Sequence, residues 1–186
     1  MGRESLPGGP PRELTEQRRG LVVFACGDPA HAEHDSVAIA AAAGLPADVL
    51  GRVDLKLTGP MRPEYLRDLA PDTRVVVADT VVLADAVADA DTVVVADTAG
   101  VSSEIVRLSL LELSGRQEPL AASSTVDPPL DEVVAMGQLL RAEPLRGYFV
   151  GLTVAGVDLS APPDEAQVGR LREALARVIS ELDGEP

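Results

Sequence analysis

The chain has 186 residues, room for one domain with a full core, and that core must come from Val, Leu, Ala and Ile because only 2% of residues are aromatic. A formal charge of −14 argues against nucleic acid and anionic membranes as partners, since phosphate binding needs clustered Lys and Arg. One cysteine excludes an intrachain disulfide framework, and no secretory or membrane-length apolar stretch is present, so the expectation is a cytoplasmic protein that does not enter a membrane.

Residues 1–19, with Pro7-Gly8-Gly9-Pro10-Pro11 and no apolar periodicity, read as a disordered leader, and a single domain is expected over 20–183. The first apolar run, Leu21–Ala25, predicts a strand. It leads into Cys26-Gly27-Asp28-Pro29-Ala30-His31-Ala32-Glu33-His34-Asp35, a loop that carries both histidines of the chain. Imidazole and carboxylate donors together suit nickel, zinc or iron better than calcium. The alternative for this loop is a solvated polar turn. Cys26, at the end of a buried strand, reads as a small core residue rather than a nucleophile.

Further strands are expected at Arg52–Leu57, Arg74–Ala78, Thr92–Ala96, Ile105–Leu110 and Tyr148–Val154. Helices are expected at Ser36–Ala43, Pro63–Leu69, Val82–Ala90, Leu130–Arg141 and Asp164–Leu182. In the last of these, Val168, Leu171, Leu175, Val178, Ile179 and Leu182 recur at helical spacing, and Asp164 and Glu165 favour its positive N-terminal end. This alternation predicts an α/β fold with a mostly parallel sheet, helices on both faces and room for an antiparallel strand at one edge.

One repeat stands out. Val75-Val76-Val77-Ala78-Asp79-Thr80 returns as Val93-Val94-Val95-Ala96-Asp97-Thr98, with an amphipathic segment between, and the piece reads as a β-α-β unit. Asp79 and Asp97 each follow an apolar strand, where a carboxylate faces the ligand-binding edge of a parallel sheet. Capping of a following helix is the competing role for either one. No G-x-S-x-G elbow, G-x-G-x-x-G turn or H-E-x-x-H helix is present.

Gly27-Asp28-Pro29 followed by His34-Asp35-Ser36-Val37-Ala38 resembles the opening of the [NiFe]-hydrogenase maturation endopeptidases. Leu57-Thr58-Gly59-Pro60-Met61, Asp72 to Asp79, Ser123-Ser124-Thr125-Val126-Asp127-Pro128 and Tyr148 to Leu152 resemble later motifs of that family in the same order. The resemblance implies a three-layer α/β/α domain, phosphorylase/hydrolase-like, with a mostly parallel twisted sheet. It also implies a nickel-dependent protease that removes a C-terminal extension from the hydrogenase large-subunit precursor. The nickel is carried by that substrate and is not a permanent cofactor. Three side chains contact it in the family. Here the first falls on Asp35 or His34 and the second on Asp79 or Asp97, while the third falls on Val126, which has no lone pair to offer. His31 or His34 is then the imidazole that reaches across, or else the chain is a degenerate relative that binds an immature metalloprotein subunit without cutting it.

Overall fold

The computed structural model describes residues 20–27, 37–82, 92–93, 104–115, 128–154 and 164–184. In chain order these form β1 (Leu21–Cys26), α1 (Val37–Ala43), α2 (Ala47–Leu50), β2 (Asp54–Thr58), α3 (Pro63–Arg67) and β3 (Arg74–Val82). They continue as β4 (Thr92–Val93), β5 (Glu104–Ser109), α4 (Leu110–Ser114), α5 (Leu130–Leu139), β6 (Arg146–Val154) and α6 (Glu165–Gly184). The strands make one six-stranded sheet in the order β2-β1-β3-β6-β5-β4. β2, β1, β3 and β6 are parallel neighbours, while β5 runs antiparallel to both β6 and β4. The expected α/β sheet is therefore present, with the antiparallel part at one side.

Alternation along the strands divides the core into two layers. Val23, Ala25, Val76, Ala78, Val150 and Leu152 meet α1, α2 and α6 on one face. Val22, Phe24, Val75, Val77, Phe149 and Val106 meet α3, α4 and α5 on the other. Central β3 is covered on both faces, which explains its unbroken Val75-Val76-Val77-Ala78 run. In α6 the buried residues are Val168, Leu171, Leu175, Val178, Ile179 and Leu182, the stripe expected from the sequence. Each such side chain stabilises the fold by about 1.5–3 kcal/mol relative to exposure. The far end of α6 is tied down by cations: Arg74 donates to the Leu182 carbonyl, Arg52 pairs with Asp183 at 3.1 Å and Arg107 with Glu181 at 2.5 Å.

Several expectations are corrected. β3 continues through Asp79 and Thr80 to Val82, because β6 pairs with it residue for residue up to Val82↔Val154. Asp79 thus lies inside a strand and caps no helix, and Val82 is a strand residue rather than a helix start. The rest of the expected 82–90 helix lies outside the described residues, as do residues 94–96 of the fourth expected strand. β3, which carries the first copy of the Val repeat, and β4, which carries Val93 of the second, are not sheet neighbours: β6 and β5 lie between them, and β4 is the outermost strand. The short helices α2 and α4 were not expected. α4 follows directly from β5 through a capping box, in which Ser109 Oγ accepts the Glu112 N–H and Glu112 accepts the Ser109 N–H.

Candidate functional site

The strand order reverses between β1 and β3: from β1 the chain moves outward to β2, then returns to the other side of β1 as β3. In open α/β sheets the crevice beyond the carboxyl ends of such a strand pair is the ligand position. The segment carrying His31, His34 and Asp35 leaves the sheet at this place, after Cys26 and Gly27, and the described chain resumes at Val37. Those three residues lie outside the described residues, as do Asp97 and Val126. Asp79 is the predicted site residue whose position the structure gives.

Asp79 is half-buried near the carboxyl end of β3. Its Oδ1 accepts the Thr80 N–H at 2.7 Å, which holds the carboxylate close to its own strand. On one side it pairs in register with Gly151 of β6. On the other, it follows the Ala25↔Ala78 pair by one step and stands level with Cys26, which in turn pairs with Thr58. Alternation puts Asp79 on the same face as Val75 and Val77, the face covered by α3, α4 and α5. Gly151 shares that face with Phe149 and projects no side chain onto it. Cys26 is 3% exposed and belongs to the same apolar layer, in keeping with its reading as a core residue.

α5 packs on this same face of the sheet. A short connection, 140–145, returns the chain from α5 into β6, so α5 ends near where β6 begins. Arg141, just past α5, confirms the direction. Its guanidinium donates to the carbonyls of Leu66, Leu69 and Ala70 at 2.7, 2.8 and 3.2 Å, at the end of α3 that feeds into the start of β3. The opening turn of α5 has no side-chain cap at Pro129. Within it Asp131 is only 7% exposed, and its Oδ1 has no hydrogen-bond partner. An unsatisfied buried acceptor costs about 1–3 kcal/mol, and more when charged. The sequence does not single out Asp131, an acidic residue on the flank of the apolar stripe Leu130, Val133, Val134 and Gly137.

Among the described residues no group of three or more His, Cys, Asp or Glu side chains is gathered closely enough to hold a metal ion. Of the predicted ligands, they place one carboxylate, that of Asp79, near the carboxyl end of β3. No helix among them is long and apolar enough to cross a membrane.

This fold is similar to those of two solved hydrogenase maturation proteases. A [NiFe] hydrogenase maturation protease, HycI from Thermococcus kodakarensis KOD1, superposes with a TM-score of 0.51 at 17% identity, over 86% of this chain and 92% of that one. The hydrogenase maturating endopeptidase HybD from E. coli superposes with a TM-score of 0.53 at 14% identity, over 87% and 93% of the two chains. No protein-family model and no curated protein matches the sequence. At these identities the likeness establishes the fold, which is the fold the sequence motifs implied.

Proposed function

We propose that this protein is a nickel-dependent endopeptidase that removes a C-terminal extension from the large-subunit precursor of a [NiFe] hydrogenase. The observation that carries the reading is the position of Asp79: a carboxylate at the carboxyl edge of the central strand, beside the strand-order reversal, in a fold shared with two hydrogenase maturation proteases. The order of the sequence motifs, from Gly27-Asp28-Pro29 to Tyr148 onward, supports the same reading.

In this mechanism nickel arrives on the precursor, held by the precursor's own ligands. Asp79, with Asp35 or His34 from the loop after β1, contacts the ion, so only a nickel-loaded precursor is held in register for cutting. Asp97 is the alternative to Asp79, and His31 the alternative imidazole. The ion polarises the neighbouring peptide carbonyl, water adds to the carbonyl carbon and gives up a proton that passes to the leaving nitrogen, and the C–N bond breaks to leave a carboxylate on the precursor and an amine on the released extension. No serine or cysteine nucleophile is required, which agrees with the burial of Cys26.

Val126 favours a second reading, in which the same surface binds an immature metalloprotein subunit without cutting it. The two separate by mass. Nickel-loaded precursor incubated with this protein loses a C-terminal peptide under the first reading. Under the second it forms a stable complex at unchanged mass.

A further inference from the structure

We propose that β2 is the contact strand of a symmetric dimer, in which two copies of this chain pair their β2 strands antiparallel, edge to edge, and join their sheets into one. β2 is the last strand on its side of the sheet, and among the described residues it pairs with β1 alone. Such an edge presents a row of backbone donors and acceptors to any further strand. Charge protects it when the residues that would face each other carry the same sign. β2 is built the other way. Asp54 and Lys56, the only lysine of the chain, stand two residues apart on one face of the strand, both half-exposed, with Lys56 Nζ 2.9 Å from Asp54 Oδ2. Leu57, on the other face, is 53% exposed.

The register follows from the order of charges along the strand. A twofold axis through a Leu55–Leu55 pair sets residue 54 of each copy opposite residue 56 of the other, because antiparallel partners run in opposite order. Asp54 then faces Lys56 of the second copy, twice, and opposite charges directly across an antiparallel pair attract. A slip of two residues either way sets Asp54 against Asp54 or Lys56 against Lys56, so charge selects one register. The faces agree as well. Asp54 and Lys56 are level with Val22 and Phe24 of β1, in the layer beside α3, while Leu55 and Leu57 are level with Val23 and Ala25, in the layer beside α1 and α6. An axis perpendicular to the sheet keeps each layer on its own side, with Leu55 against Leu55 and the exposed Leu57 along the same seam. Asp79, on β3, stands two strands in from β2, so each copy keeps its own carboxyl edge. The dimer needs neither nickel nor precursor.

The test is sedimentation velocity on the full chain without metal. The seam is short, so the dimer is a transient one, expected to be populated at about 100 μM protein and to dissociate on dilution. Asp54→Lys and Lys56→Asp each place four like charges at the seam, and both are expected to sediment as monomers at the concentration where the parent dimerises. Asp54→Lys also lowers the net negative charge of the chain, so it would strengthen association if overall repulsion governed it. The double variant, Asp54→Lys with Lys56→Asp, exchanges the two charges at unchanged net charge and is expected to restore the dimer. Circular dichroism checks the fold of each. Should a charge-reversed variant fail to fold, Asp54→Asn and Lys56→Gln, each expected to weaken dimerisation roughly threefold or more, decide by the same criterion. A parent that stays monomeric, single variants that associate as the parent does, or a double variant that stays monomeric overturns the inference. A parent monomeric alone, whose Lys56→Asp variant loses precursor processing, gives the strand edge to a peptide of the precursor and overturns it too.

Discussion

Asp79 and Gly151 are register partners across the β3–β6 pair, so a carboxylate stands beside a position with no side chain at the edge of a parallel sheet. Asp79→Asn keeps the acceptor for the Thr80 N–H but loses the charge. It is expected to reduce precursor processing at least roughly 100-fold, with a melting temperature close to that of the parent. Full processing by Asp79→Asn, scored by precursor mass, would remove Asp79 from the site and leave Asp97 as the candidate.

Gly137 brings α5 against α3 at close range. A Cβ there would lie 2.8 Å from Leu66 Cδ1 and 2.9 Å from Leu66 Cβ, and the second of these is not the loose end of a side chain. Gly137→Ala gains about 1 kcal/mol of helix propensity but overpacks a well-filled contact at a cost of about 1–3 kcal/mol. A net loss of stability is expected in urea unfolding. Combining it with Leu66→Ala should produce less destabilisation than the sum of the two single variants, since the small side chain removes the clash.

The capping box at the start of α4 makes stability depend on pH in the acid range. The Ser109 hydroxyl, and then the Ser109 backbone N–H, hold the Glu112 carboxyl below its ordinary value of 4.5. A group whose acidity is strengthened by folding contributes stability above its unfolded pKa and loses it as pH falls through the folded one. The stability difference between parent and Glu112→Gln should therefore be constant at neutral pH and shrink below about pH 4.5. Urea unfolding across that range measures it. Ser109→Ala should cost about 1 kcal/mol at neutral pH.

Gly147 stands at φ +142°, paired with Val75, and a Cβ at this position would lie well inside contact distance of the Val75 backbone. Side-chain-bearing residues pay about 1–3 kcal/mol for such a backbone conformation alone, and here the obstacle is main chain that cannot rotate away. Gly147→Ala should give little folded protein, or a sharply lowered melting temperature by circular dichroism. A variant melting with the parent would mean that the start of β6 shifts freely relative to β3.

The features legible in the sequence are those with a strong local cause. α6 shows its buried stripe at helical spacing over about four turns, and Val75 to Ala78 is apolar throughout because β3 is covered on both faces. The short helices were harder to see. α2 and α4 have too few residues for periodicity, although Ser109-x-x-Glu112 is a capping signal that marks the start of α4. The strand that carries Asp79 was expected to stop at Ala78, and Asp is a poor interior strand residue. It continues because β6 supplies a full ladder of partners, and polar residues are tolerated toward the edge of the sheet.

By itself the sequence was enough for the class of fold, the two apolar layers and the carboxylate after the Val run, since these depend on hydrophobic pattern and on motif order along the chain. Only the tertiary structure decided that β3, with the first Val run, is central while β4, with Val93 of the second, is at the rim, because identical apolar runs carry no information about their partners. It also decided that Asp131 is buried with an oxygen unpaired. Burial at the first turn of a helix depends on what the neighbouring helices and strands leave uncovered, and that is a property of packing rather than of local pattern.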